Sequence, residues 1–153
     1  MNIVIANRQR VQKINARALR RMMAALLAEL NVESAELGIH LVGAREMARV
    51  NWQFLQHEGS TDVITFDHRE PGAGPRALHG ELFVCVDDAL KQARQFRTSW
   101  PAEVVRYAVH GVLHLLGYDD LKPALRRRMK REENRWLDWI TQRYRLGQLA
   151  RSQ

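Results

Sequence analysis

The sequence predicts an α+β fold in which about five helices pack on a four-stranded sheet. Four short runs of branched and aromatic residues have the composition of strands. Longer segments, whose apolar residues recur at three and four positions, have the pattern of amphipathic helices. The chain has 153 residues, 46% of them hydrophobic, which suits one core. Because no repeat or linker interrupts it, residues 1–153 are expected to form a single domain.

The first part of the chain alternates between predicted strands and helices. Asn2–Ala6 and Leu37–Val42 are short, apolar and rich in branched residues, so both are predicted as strands. Between them, Val11–Leu30 has the apolar spacing of a helix that faces a core. A second helix is predicted over Ala44–Phe54, and the polar segment Gln56–Ser60 should follow it as a loop.

Two more strands are predicted in the middle of the chain, over Thr61–Phe66 and Gly80–Val86. Residues 67–78 between them contain two prolines and two glycines, so this segment must be a loop. The two strands are expected to pair in an antiparallel ladder. Asp87 or Asp88 is then expected to cap the next helix.

Two further helices complete the prediction. Thr98 or Ser99 is expected to cap the first of them, with Pro101 in its first turn, where a missing N–H is harmless. Pro123 is expected to open the last helix, and residues 146–153 are expected to fray. The apolar stripe of the last helix consists of Leu125, Met129, Trp136 and Ile140.

The positive charge is concentrated in the C-terminal segment. The net charge is +7, and residues 121–153 contain ten Lys/Arg against three Asp/Glu, whereas the rest contains fourteen of each. A second basic run, Arg8–Arg21, has six cations and no acid. Such clusters attract polyanions, and phosphate contacts supply most sequence-independent affinity for RNA. The charge therefore favours RNA or ribosome binding, the alternative being solvated helix faces.

Composition also bears on the cellular compartment. No apolar run reaches 18 residues, so no transmembrane helix is predicted. The start of the chain, MNIVIANRQR, lacks the basic-then-apolar order of a secretory signal. The single cysteine, Cys85, has no disulfide partner and is predicted to be a buried core thiol. A cytoplasmic protein without a membrane partner, monomeric or weakly oligomeric, is expected.

The most informative stretch is Val104–Asp120, with the sequence VVRYAVHGVLHLLGYDD. It contains two histidines, His110 and His114, four residues apart in an apolar helical pattern. Residues at this spacing lie one above the other on the same face of a helix. Two imidazoles placed in this way can bind one metal ion, although a hydrogen-bonded pair of core histidines is the alternative.

Residues just after the histidines offer a third ligand. Gly117 stands at an expected helix end, where glycine can adopt the left-handed conformation that turns the chain. The turn would allow Asp119 or Asp120 to approach the histidines. Two imidazole nitrogens and one carboxylate oxygen leave a fourth zinc position open, which is the arrangement of catalytic rather than structural zinc.

The residue after the first histidine distinguishes two classes of metal enzyme. Helical zinc proteases with the pattern H-E-x-x-H use a glutamate at this position as the general base. Here the position is Gly111, which has no side chain. The sequence therefore argues against a protease.

The segment HGVLHLLGYDD resembles the signature H-G-x-L-H-L-x-G-Y-D-H of the YbeY family, bacterial ribosomal-RNA maturation factors that are metal-dependent single-strand endoribonucleases. Val50–Asp67 resembles the family's L-N-x-x-x-R…T-D-V-L-S-F block, in which Thr61 and Asp62 match. His79–Ala89 resembles its G-D-I-x-I strand and following helix. The three blocks stand in the family's order, and the resemblance covers nearly the whole chain.

The resemblance implies a mixed four-stranded sheet with the metal-binding helix packed against it. It also implies a zinc-dependent endoribonuclease that acts on single-stranded RNA in ribosomal-RNA processing and small-subunit maturation. The expected partners are ribosomal RNA and the small ribosomal subunit. Two alternatives are a weakly catalytic or non-catalytic RNA- or ribosome-binding assembly factor with a structural metal, and a hydrolase of small substrates that uses the same site.

Two positions depart from the family pattern. Asp120 stands where the family has a third histidine, so the resemblance implies that one zinc ion is bound by His110, His114 and Asp120. Asp119 matches the family's own aspartate and is expected to be a turn residue or a hydrogen-bond partner of a ligand. Leu55 stands where the pattern has an arginine, whose guanidinium is thought to hold phosphate.

Either another cation replaces that arginine or catalysis is weakened, and no side chain is assigned as a catalytic base. The candidates for its replacement are Arg45, Arg69 and Arg76, of which the last two lie in the loop between matching strands. The remaining histidines, His57, His68 and His79, have no ligand spacing and are expected at the surface. The predicted RNA-binding residues are Arg69, Arg76, Arg126, Arg127 and Arg128.

Overall fold

A computed structural model describes residues 1–150 and has the predicted α+β fold, with five α-helices and a four-stranded mixed sheet in this part of the chain. The strands are β1 (Asn2–Asn7), β2 (Ser34–Val42), β3 (Val63–Asp67) and β4 (Ala77–Cys85). The helices are α1 (Ala16–Glu29), α2 (Ala44–Leu55), α3 (Val86–Phe96), α4 (Trp100–Leu115) and α5 (Pro123–Thr141). A short 3₁₀ helix, Leu146–Ala150, follows α5.

The sheet has the strand order β1-β2-β4-β3. β1, β2 and β4 are mutually parallel, and β3 runs antiparallel to β4 with Val63 opposite Val84 and Asp67 opposite Gly80. Parallel neighbours need a crossover connection, which α1 supplies between β1 and β2, whereas consecutive antiparallel strands need only a loop. The predicted antiparallel ladder between the third and fourth strands is confirmed.

The main core lies between α1, α4 and one face of the sheet. It includes the fully buried Leu19 of α1, Ile39 of β2, Leu82 of β4 and Val109 of α4. α4 packs directly on β3 and β4, and α5 packs on α4. A smaller cluster lies under α2 and consists of Val42, Met47, Val50, Ile64 and Cys85. α4 therefore contacts the sheet on one side and α5 on the other, and the candidate site lies on α4.

α1 begins at Ala16, five residues later than predicted from the apolar spacing, which began at Val11. Gln9 holds residues 9–12, which precede α1, in a turn. Its side-chain oxygen accepts hydrogen bonds from the backbone N–H groups of Val11 and Gln12. Asn15 then caps the helix by accepting from the N–H of Ala18 at 3.1 Å. Local side-chain hydrogen bonds therefore compete with the helix over residues 9–12.

Some boundaries of strands and helices in the second half of the chain also differ from prediction. Cys85, rather than Asp87 or Asp88, is the N-cap of α3, and both aspartates lie in its first turn, where they favour the helix dipole. By contrast, the prediction that Thr98 or Ser99 caps α4 is confirmed, with Ser99 as the N-cap. Residues 61 and 62 precede β3 instead of beginning it, and β4 starts at residue 77 and ends at 85.

The predicted fraying of residues 146–153 is wrong for the part that the structure describes. Leu146–Ala150 forms a 3₁₀ helix, and the side chain of Leu149 is fully buried in the main core. The backbone N–H of Asn15 donates to the carbonyl of Leu149 at 2.7 Å. Burial of one leucine and a backbone hydrogen bond therefore order this segment. Residues 151–153 lie outside the described part of the chain.

Two predictions from composition can be compared with this fold. Cys85 is 0% exposed, as predicted, and burial raises the pKa of its thiol. Within residues 1–150, no helix has the length and apolar character that crossing a bilayer requires.

Candidate metal centre

α4 carries both histidines of the motif. Its first turn is fixed by the Ser99 hydroxyl, which accepts a hydrogen bond from the N–H of Ala102 at 3.2 Å, and by Pro101. One face of α4 is buried on the sheet, as the apolar residues between the two histidines require. His110 and His114 lie outside the buried face of α4, and both are half-buried.

The two imidazoles and one carboxylate converge near the C-terminal end of α4. The ring centroids of His110 and His114 are 4.9 Å apart. Gly117 adopts φ = 103°, in the left-handed region that glycine tolerates, and the chain turns back there. Asp120 Oδ2 thereby comes within 3.7 Å of His114 Nε2. One ligand atom from each of the three residues lies within 4.8 Å of the other two.

This donor set fits a divalent cation. Imidazole nitrogen and carboxylate oxygen bind zinc at about 2.0–2.2 Å, so tetrahedral ligand atoms stand roughly 3.5 Å apart. The three side chains need to close in by roughly 1 Å to reach that spacing. Within residues 1–150, no other group of three such side chains meets the same distance criterion.

The electrostatics of His114 favour the form that binds metal. Burial, together with the neighbouring His110, lowers the pKa of His114, although Asp120 and Asp119 act in the opposite direction. A lowered pKa keeps the imidazole neutral, and only the neutral ring has a lone pair for a metal ion.

A buried glutamate from α5 contacts the first histidine. Glu133 is only 5% exposed, and its Oε2 lies 2.9 Å from His110 Nδ1. Burial raises the pKa of Glu133, but hydrogen bonds from His110 and Arg106 outweigh this effect and lower the pKa to about 2. An ionised carboxylate can only accept, so the proton of His110 must lie on Nδ1. In the neutral ring with this tautomer, Nε2 carries the lone pair that can bind a ligand.

Two cationic side chains, Arg106 and Lys130, also hold this glutamate. Arg106 Nη1 lies 2.8 Å from Glu133 Oε1 and 2.8 Å from Asn134 Oδ1. Lys130 Nζ lies 3.3 Å from the same carboxylate oxygen. Arg106 is one turn before His110 on α4, so the pair of helices is joined by a chain of ionic hydrogen bonds that ends at the candidate ligand.

Sequence reasoning missed Glu133 and Arg106, but one signal for Glu133 was present. Position 133 is four residues after Met129 and three before Trp136, so it falls on the apolar stripe of α5. A glutamate on a buried stripe needs a partner, because an unpaired buried carboxylate is costly. The identity of that partner depends on the packing of α5 against α4, which periodicity does not give.

Gly111, between the two histidines, allows α4 to approach the sheet closely. A Cβ atom at this position would lie 2.6 and 2.9 Å from the two methyl groups of Leu82 on β4. Gly111 therefore has a packing role, and it also stands where a zinc protease would have its glutamate. The position of the histidines depends on this close contact.

A cleft of about 660 Å³ opens beside His110 and Asp120, between α3, α4 and α5. Phe96 and Gln92 line it from α3, and Arg126, Arg127 and Lys130 line it from α5. The remaining lining residues are Asp62, Thr98, Glu103, Arg106, Tyr107, Met129 and Glu133.

The predicted RNA-binding residues are not all together. Arg126 and Arg127 line the cleft beside the candidate ligands. Arg128 points elsewhere and lies over the ring of Tyr118, 5.4 Å from its centroid. Arg69 and Arg76 are outside the cleft lining and form ion pairs in or near the loop before β4. Their partners are Asp67 at 2.9 Å and Glu33 at 2.9 Å, respectively.

The positions singled out by the family pattern have the following surroundings. Leu55, at the end of α2, is 44% exposed, and Arg45 on the same helix is exposed outside the cleft. Asp62 lines the cleft and also accepts a hydrogen bond from the N–H of Val63. Asp119 accepts from the N–H of Leu121, which is the predicted turn role. His57, His68 and His79 are exposed, as expected.

Comparison with known proteins gives a family and a fold. The family model described as Endoribonuclease YbeY matches residues 3–141. Proteins named Endoribonuclease YbeY are 45% identical over 119 residues in Anaeromyxobacter sp. (strain Fw109-5) and 34% identical over 140 residues in Chlorobium luteolum. The first alignment covers 77% of this chain and 61% of the relative, and the second covers 92% and 98%.

The fold is shared with a solved structure. The solution structure of a protein from Thermotoga maritima superposes with a TM-score of 0.71 over 99% of this chain and 97% of that one. The sequence identity is 23%, so this similarity concerns the fold alone.

Proposed function

The chain belongs to the YbeY endoribonuclease family, and from that premise we propose that it is a metal-dependent endoribonuclease that cleaves single-stranded RNA. Its proposed role is ribosomal-RNA processing and maturation of the small ribosomal subunit. Its proposed partners are ribosomal RNA and the small ribosomal subunit. The observation that carries the proposal is the convergence of His110, His114 and Asp120 beside a cleft with basic residues on one wall. Residues 1–153 act as one domain in this proposal.

One zinc ion is the proposed cofactor, with His110, His114 and Asp120 as its ligands. Bound zinc supplies Lewis-acid chemistry, because it polarises a phosphoryl oxygen and lowers the pKa of a coordinated water. The two imidazoles and the carboxylate leave room in a tetrahedral site for a further ligand, as the chemistry requires. Distances of at most 4.8 Å between the three ligand atoms support this assignment.

Glu133 is proposed as a positioning residue for His110. It holds the proton of His110 on Nδ1 and thereby orients Nε2 toward the metal position. Arg106 and Lys130 keep the carboxylate ionised and fixed between the two helices. Such outer partners of metal-binding histidines set both the tautomer and the ring orientation.

Binding of the RNA backbone is proposed for the cations of α5. Arg126 and Arg127 line the same cleft as Asp120, so they are placed to contact phosphate in a chain that has Leu55 in place of the family's arginine. Arg69, Arg76 and Arg128 lie outside the cleft lining and are proposed as more distant contacts to phosphates of the same RNA strand; Arg76 and Arg128 are exposed and Arg69 is half-buried.

A cleavage assay on single-stranded RNA tests the metal-dependent activity. The full chain is expected to cleave after zinc addition and to lose cleavage in chelator and in His114→Ala. His79→Ala, which removes an exposed histidine outside the site, should cleave like the unchanged protein. Metal content is measured on the same samples. Cleavage that survives both chelator and His114→Ala would remove the metal from the mechanism.

The second candidate function is a ribosome-assembly or RNA-binding factor with a structural metal. Two observations favour it: the exposed Leu55 in place of a phosphate-binding arginine and Asp120 in place of a histidine. The double variant Leu55→Arg/Asp120→His separates the two functions. A large rise in cleavage would identify a catalytic scaffold with reduced activity, and no change would favour the assembly factor.

A further inference from the structure

We propose that the cleft beside the metal centre binds one nucleotide of the single-stranded RNA, with its base stacked on Phe96 and its phosphate on the cations of α5. This inference rests on the proposed function, because it assigns a substrate subsite next to the same metal position. The nucleotide would be a neighbour of the phosphodiester that is cleaved.

The α3 wall of the cleft has the features of a base-binding surface. Phe96, the last residue of α3, lines the cleft and is 61% exposed. Exposed aromatic rings beside a polar cleft are the usual stacking platforms for single-stranded bases. Gln92 lies one turn earlier on α3 and also lines the cleft, so its amide can donate to and accept from the edge of a base.

The α5 wall has the features of a phosphate-binding surface. Arg126, Arg127 and Lys130 line the cleft, and all three are exposed. Lys130 contacts Glu133 at 3.3 Å but keeps a side chain that is 61% exposed. Cations three and four residues apart share one face of a helix, so they can contact successive phosphates of one strand.

The carboxylates of the cleft do not cancel this charge. Glu103 and Glu133 are buried and have internal partners, Thr98 for the first and Arg106 for the second. Asp120, a proposed metal ligand, keeps its one negative charge in the metal-free chain, where three cations of α5, Arg126, Arg127 and Lys130, line the same cleft. Asp62 is the remaining carboxylate of the lining. The lining as a whole has four Lys/Arg and four Asp/Glu, so the excess of positive charge is confined to the exposed wall formed by α5.

The apolar lining and the size of the cleft suit a single nucleotide. Tyr107 and Met129 also line the cleft and are buried, so they contribute apolar surface to it. A volume of about 660 Å³ is in the range of pockets that enclose one small organic ligand. Bases of a duplex are stacked and paired, so they cannot enter such a cleft, whereas unpaired bases can be splayed into it.

The position of the metal ligands fixes where this subsite lies on the RNA. His110 and Asp120 line the same cleft. A nucleotide between Phe96 and the α5 cations therefore places an adjacent phosphodiester near these two candidate ligands. The family pattern contains no counterpart of this role, since its blocks do not include residue 96.

Binding without cleavage tests the proposal. The full chain in excess chelator is titrated into a fluorescein-labelled single-stranded hexaribonucleotide, and anisotropy gives the Kd. Phe96→Ala is expected to raise the Kd about five-fold or more, because stacking of one base on an aromatic ring contributes at least about a five-fold affinity. Phe96→Tyr should bind like the unchanged protein. Trp52→Ala removes an aromatic residue of similar exposure, 59%, outside the cleft and should have no effect.

An abasic oligonucleotide of the same length separates stacking from charge. Phe96→Ala and the unchanged protein should bind this probe equally, whereas Arg127→Ala should weaken both probes. An equal Kd of Phe96→Ala and unchanged protein for the base-containing probe would overturn the subsite, as would an equal loss on both probes. Because no cleavage is measured, failure here differs from failure of the proposed function, which appears only in the cleavage assay.

Discussion

At the scale of single residues, the site depends on a glutamate that sits on the buried stripe of a helix. Glu133 accepts hydrogen bonds from His110 and Arg106 and contacts Lys130, so its charge is fully compensated although it is 5% exposed. A buried carboxylate with fewer partners would be protonated or would destabilise the fold. Glu133 can therefore remain ionised although it is buried, and its carboxylate is a strong acceptor for the N–H of His110.

Substitution of Glu133 is expected to weaken metal binding. Glu133→Ala should lower zinc affinity by about 10- to 100-fold, the usual cost of removing a hydrogen-bond partner of a metal-binding histidine. Glu133→Gln keeps an acceptor for His110 Nδ1–H and should retain more affinity. Zinc affinity is measured by competition with a chromophoric chelator, and the tautomer of His110 is measured by nitrogen NMR of the metal-free chain.

The matched control for this substitution is the preceding residue on α5. Glu132→Gln changes a partly exposed glutamate that accepts from Trp136 Nε1 and does not touch His110. It should leave both the zinc affinity and the tautomer unchanged. If Glu133→Ala retained the Nδ1–H tautomer and the full affinity, the positioning role of Glu133 would be wrong.

At the scale of elements, the histidines depend on how closely α4 lies on β4. The missing side chain of Gly111 lets the helix rest on Leu82, and Gly80 likewise accepts the methyl groups of Leu115, to which a Cβ would come within 2.8 Å. Two glycines, one on each element, therefore set the distance between helix and strand. The same contact determines which edge of α4 remains open to the cleft.

Gly111→Ala is expected to destabilise the protein by about 1–3 kcal/mol, the usual cost of an added methyl group in a packed core. In an open helix the same change would stabilise by about 0.5–1 kcal/mol. The steric overlap with Leu82 outweighs the gain in helix propensity, because Leu82 is fully buried and cannot rotate away freely. Urea unfolding measures the change in the free energy of unfolding.

Two companion variants show whether the overlap is the cause. Gly147→Ala places a methyl group where no atom lies within 4 Å and should change stability by less than about 0.5 kcal/mol. The double variant Gly111→Ala/Leu82→Ala should cost less than the sum of the two single changes, because the added methyl group fills space that leucine vacates. Additive costs would contradict a direct contact between the two side chains.

At the scale of the whole molecule, the basic segments are in different places. The C-terminal excess includes Arg126 and Arg127, which line the cleft, whereas the earlier basic run lies on and before α1. In that run Arg8 is held by Glu46 at 2.6 Å, and Arg17 and Arg21 are exposed away from the cleft lining. Net charge alone therefore does not show which cations contact RNA.

The salt dependence of RNA binding distinguishes the two basic segments. Each phosphate contact on a single strand adds about 0.7 to the slope of log K against log salt concentration. Arg126→Ala/Arg127→Ala should therefore reduce the slope by about 1.4, while Arg17→Ala/Arg21→Ala, with the same change in charge, should reduce it less. Anisotropy titrations at several salt concentrations give the slopes. Equal reductions would mean that RNA binding follows net charge rather than the cleft.

Much of this architecture follows from local patterns in the chain. The strand runs, the apolar spacing of the helices and the i, i+4 spacing of His110 and His114 are determined by neighbours in sequence, so they predict the elements and the ligand pair. Gly117 predicts the turn that returns Asp120, because only glycine readily adopts its positive φ. Errors occurred at the start of α1 and after α5, where one side-chain turn and one buried leucine override periodicity.

By itself, the sequence determined the kinds of elements, the candidate ligands and the family, since each depends on residues close together in the chain or on their order. Only the tertiary structure decided that Glu133 and Arg106 meet at His110, and that Arg127 faces the cleft while Arg128 covers Tyr118. The reason is geometric: contacts between α4 and α5 depend on the rotation and separation of two packed helices. Those quantities come from how side chains such as Gly111 and Leu82 fit together, and periodicity does not contain them.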